Sequence, residues 1–164
     1  MVPLYLVVHS VRSLHNVGSL FRTADGAGVQ KIFLTGYTPS PYDLFGKLRK
    51  DFAKTALGAE KYVAWEQHKN IGTLLMRLKE KIFIVALEQS KKSVSYQTFF
   101  SRYGKKLKNF SGIALVVGNE VRGLPPSVLK KTNAIVEIPM HGKKESLNVS
   151  VAAGIALFAL NRIK

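Results

Sequence analysis

The sequence predicts a single α/β domain with a mostly parallel sheet and helices on both faces. Short apolar runs alternate with longer segments of helical periodicity along the chain, and this alternation is typical of α/β folds. Within the runs, apolar residues follow one another instead of alternating with polar ones, which indicates strands covered on both faces. At 164 residues the chain has the usual size of one domain, so we expect residues 1–164 to form a single unit.

Six segments are predicted as strands because each is a short run of β-forming apolar residues. In chain order they are residues 4–8, 31–35, 61–65, 82–87, 113–117 and 134–138. The pattern is strongest at 82–87 and weakest at 61–65, where charged and polar residues lie close to the apolar ones.

Four helices are predicted between and after these strands, at residues 16–28, 70–80, 125–131 and 148–163. In the first of them, Val17, Leu20 and Ala24 share one face, while Arg22 falls on the polar side. The last helix is apolar almost all round, so it must be buried deeply or be packed against another subunit.

Composition excludes several classes of protein. The chain has no Cys, and its four His show no metal-ligand spacing, so we expect no structural zinc site and no other metal. The longest apolar run, residues 151–160, is half the length of a membrane span. The first residues carry no Lys or Arg before their apolar run, which argues against a secretory signal. We therefore expect a cytoplasmic protein without a membrane partner.

The charge of the chain points to a polyanionic partner. Its formal net charge is +15, and residues 41–110 alone hold fifteen basic and six acidic residues. A merely solvated surface needs far less imbalance, and no Lys-rich amphipathic helix suggests a membrane surface. Nucleic acid is the favoured partner.

Three polar clusters lie where predicted strands end, at residues 9–22, 118–123 and 139–148. In parallel sheets ligands bind beyond the carboxyl ends of the strands, so these clusters are candidates for one site. Among the common signatures, G-x-G-x-x-G after the first strand, the P-loop, H-E-x-x-H and G-x-S-x-G are all missing from the sequence.

Each notable residue in the clusters also has a purely structural interpretation. Asn16 is a good helix cap, and Ser146 or Asn148 suits the start of the last helix. Gly118 either lets a ligand approach the backbone or makes the turn. Glu120 either pairs with an arginine, Arg22 or Arg122, or orders a loop.

Taken together and in this order, the three clusters resemble the SpoU/TrmH branch of the SPOUT methyltransferases. The pattern N-x-G-x-x-x-R-T-A occurs at residues 16–24, and G-x-E-x-x-G-L occurs at 118–124. I-P-M at 138–140 is followed by S-L-N-V-S at 146–150. The resemblance covers nearly the whole chain, and the three motifs in this order are a specific match.

The resemblance implies an enzyme that uses S-adenosylmethionine to methylate the ribose 2′-hydroxyl of tRNA or rRNA. It implies a deep trefoil knot near the C-terminus, with the cofactor held in the knot largely by backbone groups. It also implies a homodimer in which active-site residues come from both subunits. The matching cofactor-binding positions are Leu87 or its neighbours, Gly118, Ile138, Met140 and Leu147.

By the same resemblance, the catalytic positions are Asn16, Arg22, Glu120, Ser146 and Asn148. Two roles are open for Arg22: it takes the proton of the hydroxyl as a base, or it binds a phosphate and orients the hydroxyl. We favour the second role because a guanidinium is very hard to deprotonate. On this hypothesis Glu120 and Asn16 hold Arg22, and the two remaining residues orient the final loop.

We expect no separate RNA-recruiting domain, so RNA selection falls to this domain's own surface. The candidate surface joins basic and aromatic residues of the middle segment: Lys47, Arg49, Lys50, Lys54, Lys91, Lys92, Tyr96, Phe99, Phe100, Arg102, Tyr103, Lys105, Lys106 and Lys108. Phe99 and Phe100 are as well explained as core residues. The alternatives for the whole protein are a non-catalytic RNA-binding protein on the same fold and a methyltransferase acting on a protein or small molecule.

Overall fold

The computed structural model describes residues 2–161 as seven parallel strands with helices on both faces. The strands are β1 (Leu4–His9), β2 (Lys31–Thr35), β3 (Ala64–His68), β4 (Ile82–Leu87), β5 (Val94–Ser95), β6 (Gly112–Val117) and β7 (Ala134–Glu137). Their order across the sheet is β3-β2-β1-β6-β4-β7-β5, and every pairing is parallel. The predicted fold class is confirmed.

Six α-helices connect or follow these strands. They are α1 (Leu14–Gly26), α2 (Lys50–Ala56), α3 (Ile71–Leu78), α4 (Phe99–Leu107), α5 (Pro126–Leu129) and α6 (Val149–Leu160). Single turns of 3-10 helix occur at Ala59–Lys61 and Tyr96–Thr98. No helix within residues 2–161 is long and apolar enough to cross a membrane.

The sheet buries a separate apolar cluster on each face because successive strand side chains point in opposite directions. In β1, Leu6 and Val8 contribute to the cluster beneath α1 and α6, while Val7 contributes to the cluster beneath α3 and α5. The central strand β6 is buried along its whole length. The uninterrupted apolar runs of the sequence follow from this burial on both faces.

Several elements differ from the sequence prediction. Strand β3 begins at Ala64 instead of residue 61, because Ala59–Lys61 forms a 3-10 turn and β3 pairs with β2 from Ala64 onward. Strand β3 lies at the sheet edge and is only partly buried, which explains its weak apolar pattern. Helices α2 and α4 were not predicted. Helix α2 has two basic residues and two buried ones, and α4 has three basic residues and a single buried one.

The helix caps test the predictions made for Asn16 and for the start of the last helix. Helix α1 is capped by Ser13, whose side chain accepts from the backbone N–H of Asn16, so the prediction that Asn16 is the cap is wrong. Helix α6 is capped by Asn148, which accepts from the N–H of Ser150, as one of the two alternatives predicts. Freed from capping, the Asn16 amide is available for tertiary contacts. The trefoil knot stays a prediction, because strand order alone does not decide how the chain threads.

Candidate active site

A cavity of about 310 Å³ opens at the carboxyl ends of β4, β6 and β7. These strands are neighbours in the sheet, so the segments that follow them meet at one edge. All five positions matched to cofactor binding lie on its wall, namely Leu87, Gly118, Ile138, Met140 and Leu147. Two of the five positions matched to catalysis, Glu120 and Ser146, lie there as well.

The cavity wall is acidic although the protein is strongly basic. Four of the ten acidic residues line it, Glu88, Glu120, Glu137 and Glu145, and Arg122 is the one basic residue among the lining residues. A site of this composition favours a positively charged small molecule.

The loop after β6 folds back on itself at Gly118. A Cβ atom on Gly118 would lie 2.6 Å from the carbonyl carbon of Gly123, because the chain returns there. The N–H of Gly123 donates to the Asn119 carbonyl at 2.9 Å, and Gly123 has a φ of +62°. Glycine is therefore needed at position 118 because the backbone of Gly123 packs directly against it. This agrees with the interpretation that Gly118 makes the turn.

Glu88 joins the loop after β4 to the loop after β6. Its carboxylate accepts from the N–H of Leu124 at 2.7 Å and from the N–H of Gln89 at 3.1 Å. The Gln89 side chain in turn donates to the Glu145 carbonyl at 2.6 Å across the cavity mouth. The sequence placed the neighbours of Leu87 near the cofactor but did not predict these hydrogen bonds of Glu88 and Gln89. An acid directly after the strongest predicted strand was the available signal, the same one that drew attention to Glu120.

Glu120 receives hydrogen bonds from the start of α1. Its carboxylate accepts from the backbone N–H groups of Arg12 and Ser13, both at 3.1 Å, and from Asn16 Nδ2 at 3.1 Å. A carboxylate at the N-terminus of a helix is also favoured by the helix dipole. Partial burial raises the pKa of Glu120, but hydrogen bonds from its own backbone N–H and from these three donors lower it by more, and the resulting pKa is below the usual value.

Asn16 links Glu120 to the start of the last helix. Asn148 Nδ2 donates to Asn16 Oδ1 at 3.1 Å, while Asn148 Oδ1 caps α6 through Ser150. A continuous chain of hydrogen bonds therefore runs from Glu120 through Asn16 to Asn148. Three of the five positions matched to catalysis are joined in this chain, and Ser146 lies on the cavity wall beside it.

Arg22 lies apart from this cavity within the protomer. It lines a separate groove between α1, α2 and α6, whose walls include Lys54, Thr55 and Phe158. Arg22 follows Asn16 by six residues in α1. In an α-helix this spacing turns the second side chain about 120° away from the first and places it about 9 Å further along the axis. The expectation that Glu120 and Asn16 hold Arg22 is therefore wrong for a single protomer. Among residues 2–161, Glu120 forms no ion pair with Arg22 or Arg122, and it orders a loop instead.

The aromatic residues of the basic middle segment divide between core and surface. Phe99 is buried and packs edge-to-face against Phe83, with ring centroids 6.1 Å apart. Tyr103 packs on the same two rings. Phe99 is therefore a core residue, in agreement with the structural interpretation. Phe100 and Tyr103 are half-buried, whereas Arg102 and the nearby lysines are exposed.

Comparison with known proteins gives one consistent family. Residues 3–158 match the SpoU rRNA Methylase family. The chain is 33% identical over 162 residues to the 23S rRNA (guanosine-2'-O-)-methyltransferase RlmB of Pasteurella multocida, a match that covers 98% of this chain and 60% of the relative. It is 32% identical over 160 residues to the tRNA (guanosine(18)-2'-O)-methyltransferase of Aquifex aeolicus, covering 97% and 69% of the two chains.

A solved structure gives the same picture of the fold. The AdoMet-bound rRNA methyltransferase from Sinorhizobium meliloti superposes with a TM-score of 0.82 and 28% identity, over 98% of this chain and 56% of that one. The chain thus spans about 60% of the length of the first curated relatives it matches. Since the family match extends over nearly all of the residues that build the sheet and the cavity, the protein belongs to the SpoU rRNA Methylase family.

Proposed function

We propose that the protein is an S-adenosylmethionine-dependent RNA methyltransferase that modifies a ribose 2′-hydroxyl of tRNA or rRNA in the cytoplasm. The observation that carries this proposal is the acid-lined cavity at the strand ends, which holds all five positions matched to cofactor binding in a protein of net charge +15. An acidic cavity suits a sulfonium cofactor, and a basic exterior suits RNA. The relatives named above carry the same reaction in their names.

The residues of the cavity fit S-adenosylmethionine. Leu87, Ile138 and Leu147 offer apolar surface for an adenine ring, and backbone groups beside Gly118 and Met140 offer polar contacts. The carboxylates on the wall offset a positive charge. When bound, S-adenosylmethionine supplies an electrophilic methyl group on its sulfonium sulfur.

The chain's own residues position the RNA hydroxyl. Asn16 and Asn148 are fixed by their mutual hydrogen bond and present an ordered polar edge beside Ser146. Glu120 is ionised near neutral pH, but its oxygens already accept from three donors at the start of α1. We therefore assign Glu120 to holding the Asn16 side chain, and not to taking the proton of the hydroxyl.

Arg22 acts, on this proposal, in the partner's site of a homodimer. Its groove is separate from the cavity of the same protomer. The neighbouring face of α6 leaves Val151 and Phe158 about half exposed, at 50% and 53%, which suits contact with a second copy. Arg22 then grips the phosphate next to the target ribose with its planar two-point fork.

A mixing experiment tests the action of Arg22 across the dimer. Protomers carrying Arg22→Ala are combined, by partial unfolding and refolding, with protomers carrying Asn148→Ala. If Arg22 serves the partner's site, each mixed dimer has one intact site, and about a quarter of wild-type methyl transfer returns. Arg22 acting within its own protomer restores nothing.

Calorimetry with S-adenosylmethionine and its demethylated product tests the cofactor assignment. We expect saturable binding of both. Mapping of ribose methylation in total RNA, with and without the protein, then identifies the substrate. Binding of RNA with no binding of either cofactor form favours the non-catalytic RNA-binding alternative.

A further inference from the structure

A second groove, of about 480 Å³, lies on the other side of the loop that walls the candidate active site. It is lined by Arg12, Tyr37, Asn119, Val121 and Arg122. Three of these residues, Asn119, Val121 and Arg122, also line the acidic cavity, so the two concavities share one loop. The motifs and the mechanism assign no role to Arg12 or Tyr37.

The hydroxyl of Tyr37 is fixed by a hydrogen bond, while its aromatic ring is exposed to solvent. The residue is 58% exposed, yet its hydroxyl accepts from Asn119 Nδ2 at 3.0 Å. Asn119 is itself nearly buried and donates to the Ser10 carbonyl at 3.0 Å, so the anchor is rigid. A ring restrained in this way can stack a base with little further loss of conformational freedom.

Both arginines of the groove have a backbone N–H that is hydrogen-bonded and a guanidinium group that has no acidic partner among residues 2–161. The N–H of Arg12 donates to Glu120, and the N–H of Arg122 donates to Asn119 Oδ1 at 2.8 Å. Both side chains are exposed, and neither guanidinium has a carboxylate within 4.0 Å among residues 2–161. Free guanidinium groups on fixed backbones are suited to phosphate oxygens.

We infer that this groove, named here the Tyr37 groove, binds the single-stranded RNA next to the target nucleotide. One unpaired base stacks on the Tyr37 ring, and Arg12 and Arg122 hold the flanking phosphates. The inference rests on the proposed function and refines it, because it requires the substrate to be unpaired at this point. A paired A-form strand keeps its base faces inside the helix and cannot offer one to Tyr37.

The test measures binding of a fluorescently labelled ten-nucleotide oligo(A) RNA by anisotropy. We expect Tyr37→Ala to weaken binding about tenfold or more, since one stacked base is lost. Tyr37→Phe keeps the ring and stays within about threefold of wild type. The matched control is Tyr62→Ala: Tyr62 is 78% exposed and precedes β3, at the amino-terminal ends of the strands, whereas Tyr37 follows the carboxyl end of β2.

The arginines are tested by the salt dependence of the same binding. Arg12→Gln and Arg122→Gln should each reduce the slope of log K against log salt by about 0.7, the value for one phosphate contact on a single strand. Arg77→Gln, at the end of α3 and near Glu66, should leave the slope unchanged.

Three results would overturn the inference. They are equal affinity of Tyr37→Ala and wild type for oligo(A), equal binding of a ten-base-pair RNA duplex, and complete displacement of oligo(A) by an acidic peptide of equal charge. Calorimetry with S-adenosylmethionine on Tyr37→Ala and Arg12→Gln, whose sites lie outside the cavity wall, separates the two proposals. Loss of RNA binding with cofactor binding intact supports the groove, whereas absence of cofactor binding in wild type removes the proposed enzyme and leaves the anisotropy result to decide the groove.

Discussion

The two sides of the loop at residues 118–123 carry opposite charge. The cavity side collects four carboxylates and one arginine, while the Tyr37 groove holds two arginines and no acid. A loop of six residues therefore separates a surface suited to a cation from a surface suited to phosphate. The comparison shows that a net charge of +15 describes the outside of this protein and not its cavity. On the proposed function, the cavity side faces the cationic cofactor and the groove side faces the RNA.

The largest effect is expected from a change that deforms the dividing loop. Gly118→Val places side-chain atoms against the Gly123 backbone, where even a Cβ would lie at 2.6 Å, so the loop must move. We expect S-adenosylmethionine affinity to fall at least 100-fold in calorimetry. Gly104→Ala, where a Cβ meets nothing within 4 Å, is the control and should bind normally. Normal cofactor affinity in Gly118→Val would mean that the loop does not shape the cavity.

The next effect separates RNA positioning from cofactor binding. Arg22→Lys keeps the positive charge but loses the planar two-point contact with phosphate, so turnover should fall about 100-fold. Affinity for S-adenosylmethionine should stay within about twofold, because Arg22 lies outside the cavity of its own protomer and, on the proposal, contacts an RNA phosphate and not the cofactor in the partner's site. Turnover near that of wild type would disprove the phosphate-gripping role.

A smaller effect tests the acidity of the cavity directly. Glu145→Gln removes one wall charge, and the hydrogen bond from Gln89 survives because it ends on the Glu145 backbone carbonyl. We expect cofactor affinity to fall about threefold at low salt and the difference to shrink as salt rises, since the charge is exposed. Glu80→Gln, an exposed acid just before β4 and so at the amino-terminal ends of the strands, away from the cavity, is the control. Equal affinities for the two variants would indicate that the wall charges do not act on the ligand.

The smallest effect concerns the pH dependence of stability. Because the pKa of Glu120 is lower in the folded protein, its stabilising contribution is present above the ordinary carboxyl value of about 4.3. That contribution is lost as the pH falls through the lowered pKa. Glu120→Gln should therefore have a lower melting temperature than wild type at pH 7, by about a degree or two, with the gap closing below pH 4. A gap that is constant with pH would show that the carboxylate charge does not matter.

The sequence predicted the buried central strands of this fold better than its edge strand and its basic surface helices. Buried strands such as β4 and β6 are visible as continuous apolar runs, and five of the six predicted strands overlap the observed ones closely. Helices α2 and α4 escaped prediction because their basic residues mask a short apolar stripe. The five positions matched to cofactor binding lie together on the cavity wall, and four of them belong to the motifs. Glu88 and Gln89, which connect the parts of that wall, belong to no motif.

The sequence by itself determined the parallel α/β class, the basic exterior and the three segments that meet at one edge of the sheet, because these follow from local periodicity, composition and order along the chain. Only the tertiary structure decided which side chains touch. The contact between Asn16 and Asn148 joins residues 132 positions apart, and Glu120 meets the start of α1 over more than a hundred positions. Helical rotation directs Arg22 away from Asn16, although the two share one motif. Spacing along the chain fixes the faces of each element, whereas the packing of the elements fixes which faces share a site.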